Sequence, residues 1–223
     1  MTTPPNETVS RLVDAALAHV AFDGWSTETF EAAVADSGIA PALAQALCPR
    51  GGVDLAAAYH RLGDAKLAEM LAEADLNEMR FRDRVAHAVK LRLQISADKE
   101  VVRRGTTLFA LPQHAAQGSA LIWGTADTIW NSLGDTSRDI NWYSKRATLS
   151  AVYGATVLYW LGDDSDAHEA TWAFLDRRIS NVMQIEKAKA TFKDSALGKV
   201  LKGPLSALSA IKAPAARDDL PGS

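Results

Sequence analysis

An all-α fold is predicted for this 223-residue chain, on three observations. Apolar residues recur at intervals of three and four along nearly the whole length. Ala and Leu are prominent and β-branched runs are scarce. The turn signals bound segments of helical rather than strand length.

The elements follow in order. Thr8 caps a first helix that buries Leu12, Ala16 and Val20 and stops near Gly24. Ser26 or Thr27 caps a second, which carries Phe30 and Val34 and ends at Ser37-Gly38. Pro41 lies in the first turn of a short third helix with Leu43 and Leu47 inward, closed by Cys48-Pro49-Arg50-Gly51-Gly52. A long helix spans 53–74, another 77–95, and a third 99–111, where Pro112 ends it. The helix over 115–133 places Ile122, Ala126, Ile129 and Leu133 on one stripe. Gly134-Asp135-Thr136 separates it from a helix over 140–161. After the turn Gly162-Asp163-Asp164, Asp166 and Glu169 form a capping box for a helix with Trp172, Leu175, Ile179 and Val182 on one face. The expected organisation is a small helical unit over 8–52, a larger bundle over 53–185, an amphipathic segment over 195–212 and a disordered tail over 213–223.

Composition narrows the function. The net charge of -3 does not by itself point to a nucleic acid or an acidic substrate. Cys48 is the one cysteine, so no intramolecular disulfide forms and a reducing compartment is expected. Residues 1–10 lack the basic and apolar regions of a secretory signal and are not an Arg-rich transit peptide. No apolar run is long enough to span a bilayer. The five histidines show no metal-ligand spacing. The cluster Asp163, Asp164, Asp166, His168 and Glu169 reads as a capped, solvated turn. Cys48, between Leu47 and Pro49, reads as a small buried apolar residue. With no nucleophile elbow, phosphate loop or C-x-x-C, the residues support binding and not turnover. No cofactor or metal is expected.

The first three helices, with Gly24-Trp25, Thr29-Phe30, Ala35 and Ser37-Gly38-Ile39, resemble the helix-turn-helix of TetR-type regulators, which is followed by a larger helical domain enclosing a small apolar ligand. The electrostatics oppose DNA binding. Between Gly24 and Asp54, Glu28, Glu31, Asp36 and Asp54 face Arg50 alone, and the third helix offers only Gln45 for a base edge. The expected partners therefore exclude nucleic acid. A ligand-responsive TetR-type repressor is the alternative function.

The far end carries the opposite charge. From Glu186 to Lys212, six lysines oppose Glu186 and Asp194. Leu197, Val200, Leu201, Leu205, Leu208 and Ile211 share one helical face. That is the pattern of a helix lying in the headgroup region of an anionic membrane, with Gly203-Pro204 as a kink.

Asp139-Ile140-Asn141-Trp142-Tyr143-Ser144-Lys145-Arg146-Ala147 opens the 140–161 helix with two adjacent large rings. Neighbours on a helix point about 100° apart, so one ring at most sits squarely in the core. Rings at a helix entrance beside Lys145 and Arg146 suit a docking anchor. This run, with Leu111-Pro112-Gln113-His114, Ile129-Trp130 and Thr171-Trp172-Ala173-Phe174-Leu175-Asp176-Arg177-Arg178-Ile179, resembles the ubiquinone-biosynthesis accessory family of TetR-like lipid-binding proteins. The resemblance covers roughly 9–182. It implies a non-catalytic, homodimeric carrier that holds an isoprenoid lipid or quinone intermediate and presents it to the di-iron demethoxyubiquinone hydroxylase. It further implies that Ile129, Trp142, Tyr143 and Arg146 form the hydroxylase-docking surface. The terminal helix, through Leu197, Val200, Leu201, Leu205 and Leu208, would lie on the membrane. Trp123, Leu149, Tyr153, Trp172, Leu175 and Ile179 are the candidate lipid-lining residues. A cytoplasmic protein, peripheral on the inner face of a bacterial membrane, is the expected location.

Overall fold

The computed structural model describes residues 7–96, 98–194 and 212–214. Nine α-helices occur among them: α1 (Glu7–Asp23), α2 (Thr27–Ser37), α3 (Pro41–Leu47), α4 (Gly52–Glu73), α5 (Phe81–Ile95), α6 (Lys99–Ala110), α7 (Ala115–Ser132), α8 (Ile140–Leu161) and α9 (Glu169–Asp194). No strand occurs among the described residues. The segment 195–211, which carries Leu197, Val200, Leu201, Leu205 and Leu208, lies outside them. Among the described residues no helix is long and apolar enough to cross a membrane.

Local chemistry sets most boundaries. The Ser26 side chain accepts from the Thr29 N–H at 3.1 Å, capping α2. Gly38 closes the same helix at φ 65°, a left-handed conformation that costs glycine little. Asp98 caps α6 and Asp139 caps α8. Two boundaries differ from expectation. Residues 77–80 form a turn and α5 begins at Phe81, because Arg84 reaches back to the carbonyls of Met79 and Asn77 and fixes them outside the helix. Asp166 and Glu169 make no capping box. Asp163 takes that part, accepting from the N–H groups of Ser165 and Thr171, both at 2.9 Å. A short 3₁₀ turn then carries Ala167 and His168 at positive φ.

The helices pack around two cores. One joins Leu12, Val13, Ala16 and Val20 of α1 to Phe30, Ala33 and Val34 of α2 and Leu55 of α4, with Trp25 and Cys48 sealed in. Burial, with a smaller contribution from Asp54, pushes the Cys48 thiol up to about 11, so it stays protonated and unreactive. The other joins Leu67 and Leu71 of α4, Val85, Ala88, Val89 and Leu93 of α5, Ala126 and Ile129 of α7, Leu149 to Leu161 of α8, and Leu175 and Ile179 of α9. Burying such side chains contributes roughly 1.5–3 kcal/mol each. Ala213 is not part of a free tail: its N–H donates to the Arg138 carbonyl at 3.0 Å.

Candidate functional site: an apolar cavity with one polar wall

Helices α6, α7 and α8 do not close on one another. Between them lies a cavity of about 650 Å³, floored by Ala56, Tyr59 and His60 of α4 and Arg92 of α5. Small residues keep it open: Gly105, Ala110, Ala115, Gly118, Ala147 and Gly154 line it where larger side chains would fill it. Its size is that of a small-molecule site. Leu158, 62% exposed, stands at the outer rim.

The floor is the most polar part of the lining, whose other walls add the hydroxyls of Thr106, Ser119, Ser150 and Tyr153. The guanidinium of Arg92 donates to the Asp64 carboxylate at 2.8 Å, to the Ser96 hydroxyl at 2.8 Å and to the His60 carbonyl at 2.9 Å. The Thr125 hydroxyl donates to Asp64 at 2.8 Å, and the His60 ring meets Thr125 at 2.8 Å. Tyr59 donates to the Ser96 carbonyl at 2.9 Å. Burial holds the His60 imidazole down to about 4 against the pull of Asp64. Burial also raises the Tyr59 and Tyr153 phenols. Gly63 makes the arrangement fit, since a Cβ there would stand 2.7 Å from the Arg92 guanidinium carbon.

Two of the six candidate lining residues, Trp123 and Tyr153, face this cavity. The other four do not. Leu149 and Ile179 line a separate groove of about 310 Å³ with Phe81, Trp130 and Met183. Leu175, 2% exposed, is core. Trp172 packs beside that core and ties its indole N–H to the Ala167 carbonyl at 2.8 Å. The wall residues Tyr59, His60, Asp64, Arg92, Ser96 and Thr125 went unread in the sequence. Their signal was present: each interrupts a buried apolar stripe, as His60 and Asp64 do four residues apart ahead of Leu67 and Leu71.

The aromatic pair at the start of α8 lies at the rim, and neither ring enters the core. Trp142 and Tyr143 are both half-buried, edge to face with centroids 4.8 Å apart. Trp142 also rests 6.0 Å from Trp123 and covers the Arg146 guanidinium at 4.1 Å. Tyr143 donates to the Lys212 carbonyl at 3.4 Å. The other two docking candidates are corrected. Ile129 is 0% exposed, because it continues the inward stripe of Leu121, Thr125 and Ala126. Arg146 is 1% exposed, clamped by Asp127 at 2.5 Å, Asp135 at 3.0 Å and the Asn131 side chain at 3.0 Å. Neither can touch a partner directly. Desolvation opposes ionisation of Asp135, but the bonds from Lys145, Ser137 and Arg146 outweigh it and hold the carboxyl at about 2.

Among the described residues no group of three or more His, Cys, Asp and Glu side chains could hold a metal ion. Arg50, in the turn after α3, is tied to Asp54 at 2.5 Å and to Gln117 at 2.9 Å.

The fold has a solved counterpart. A TetR transcriptional regulator from Nitrosomonas europaea superposes with a TM-score of 0.62 at 18% identity, over 78% of this chain and 97% of that one. The architecture is TetR-like. A COQ9 family model matches residues 115–186, the stretch that holds α7, the aromatic pair and most of α9. The ubiquinone biosynthesis protein COQ9 of Drosophila melanogaster is 31% identical over 182 residues, 79% of this chain and 56% of that protein. The chain belongs to the COQ9 family. Homo sapiens COQ9 is 29% identical over 78% of the chain and 57% of its own length, and a probable Dictyostelium discoideum coq9 is 28% identical over 83% and 62%. The chain thus spans little more than half the length of these COQ9 relatives. Their names also describe them as mitochondrial, which overturns the expected placement on the inner face of a bacterial membrane.

Proposed function

We propose that this COQ9-family chain is a non-catalytic lipid carrier in ubiquinone biosynthesis. It holds an isoprenoid quinone intermediate in the α6–α7–α8 cavity and presents it, as a homodimer at a membrane surface, to the di-iron demethoxyubiquinone hydroxylase. The cavity carries the reading. A polyprenyl chain gains about 25 cal/mol for each Å² moved out of water, so a soluble carrier must offer a comparable apolar lining. Trp25, Val101, Phe109, Leu121, Ile122, Trp123 and Val157 supply one.

The half-buried rings of Trp142 and Tyr143 support the docking part of the reading, since large aromatics with one exposed edge make strong interface anchors. The membrane contact assigned to 195–212 lies almost wholly outside the described residues.

The test is mass spectrometry of an organic extract of the purified protein. An isoprenoid retained at near one per chain is the expected result, and an extract without isoprenoid or phospholipid would overturn the carrier. A pull-down with the hydroxylase and the mass in solution by light scattering check docking and the dimer separately.

A further inference from the structure

The polar wall of the cavity restricts the head group it admits. Among the described residues lining the cavity, Arg92 alone carries a full charge, and Asp64 behind it matches that charge at 2.8 Å. The pair is nearly inaccessible, at 3% and 7% of side-chain surface. His60 adds no charge near neutral pH, because burial keeps its ring neutral. The wall is therefore neutral.

The hydrogen-bond polarity of this floor is also fixed, while the Ser150 hydroxyl on the α8 side, buried without a partner, stays free to donate or accept. Thr125 has one hydroxyl proton, and it goes to the Asp64 carboxylate, which has none to give. The proton in the 2.8 Å contact between His60 Nε2 and Thr125 must then come from the imidazole. A neutral ring protonated at Nε2 leaves Nδ1 as an acceptor. Tyr59 has likewise committed its proton to the Ser96 carbonyl, leaving its oxygen to accept. Arg92 commits three of its five N–H groups, to Asp64, Ser96 and the His60 carbonyl. Acceptors beside spare donors are the complement of a hydroxyl, which donates and accepts at one oxygen.

We propose that His60, Tyr59 and the Asp64–Arg92 pair make the cavity selective for a lipid with an uncharged, hydroxyl-bearing head, which among quinone intermediates means the reduced quinol or a phenolic precursor. The head sits on this wall and the chain runs out past Leu158, while the same chain ending in a phosphate or carboxylate is refused. The inference rests on the cavity being the lipid site. An anionic head would surrender its hydration and find the one cation already neutralised, and a buried charge without a counter-charge is strongly disfavoured.

Equilibrium partitioning of the full chain with four probes tests it: geranylgeraniol, its methyl ether, geranylgeranyl phosphate and geranylgeranoic acid, each delivered from cyclodextrin. The alcohol is expected to bind at least about tenfold more tightly than either anion, and more tightly than the ether. A phosphate that binds as well as the alcohol overturns the selectivity and leaves the carrier standing. Failure of all four to bind overturns the carrier itself. Asp64→Asn, which unmasks Arg92, is expected to raise phosphate binding relative to the alcohol; an unchanged ratio in a folded variant counts against the neutral wall. His60→Phe removes the acceptor without touching the ion pair, and is expected to erase the preference for alcohol over ether. A preference that survives overturns the assignment to His60.

Discussion

Arg146 and Tyr143 stand three residues apart on α8 and act in opposite directions. Arg146 looks inward, where Asp127, Asp135 and Asn131 take up its guanidinium and Trp142 lies over it. Arg146→Met leaves Asp135, whose side chain is 2% exposed, with one of its two cations gone. Breaking a buried pair costs about 3–5 kcal/mol, and Lys145 and Ser137 remain on Asp135, so about 3 kcal/mol is expected. Urea unfolding reads this as a lower midpoint with an unchanged slope. Tyr143 is half-buried at the rim, and Tyr143→Ala is expected to cost under about 1 kcal/mol in the same assay while abolishing capture of the hydroxylase. If Arg146→Met leaves stability untouched and removes capture alone, the inward assignment fails. Side by side in the sequence, Trp142, Tyr143 and Arg146 read as one docking motif, because a charged residue in an α-helix gives no sign of its direction until its partners on α7 are placed.

At the scale of elements, the sequence was legible wherever the physics is local. The Ser26 cap, the Gly38 close and the inward stripe of α7 are each set by residues within a turn or two of one another. The start of α5 was not, because the Arg84 side chain holds the preceding turn from seven residues away. The capping of α9 was misplaced by three residues, since Asp163 and Asp166 are equally plausible caps until Thr171 is brought under Asp163. The cavity was least legible, because its walls come from five helices and only two of six candidate residues face it. Gly63 shows what one such crossing demands. Gly63→Ala places a methyl 2.7 Å from an Arg92 guanidinium already pinned by Asp64, Ser96 and the His60 carbonyl. The head cannot simply swing aside. A loss of about 1–3 kcal/mol is expected, against the gain of a few tenths to about 1 that Ala for Gly ordinarily brings to a helix interior. Thermal unfolding decides the sign, and a stabilised variant would mean that the α4–α5 contact is looser than the geometry states.

The molecule as a whole couples two buried polar networks to pH in separate windows. His60 is held at about 4 in the fold, by burial first, with Arg92 and Arg61 adding to it and Asp64 opposing, against an ordinary value of 6.5. Above pH 6.5 the ring is neutral in folded and unfolded chains alike, and its contribution to stability is complete. As pH falls from 6.5 toward 4 the unfolded chain takes up a proton that the folded chain refuses, so stability declines by up to about 1.4 kcal/mol per pH unit and about 3 kcal/mol in all. Asp135 acts lower down. Its carboxyl stays ionised to about 2 instead of 3.8, so its contribution is present above 3.8 and is lost as pH drops toward 2. Loss of stability between pH 6.5 and 4 therefore belongs chiefly to the cavity wall, and loss below 4 to the network around Arg146 together with Asp163, whose carboxyl the bonds from Ser165 and Thr171 also hold well below its ordinary value. Urea unfolding at half-unit steps from pH 7.5 to about 2 separates them. The natural chain is expected to lose stability from pH 6.5 downward, and His60→Gln, less stable at neutral pH, to run nearly flat until about pH 4. Parallel curves for the two chains would show that His60 is hydrated in the fold, and with that the neutral wall of the cavity would be lost.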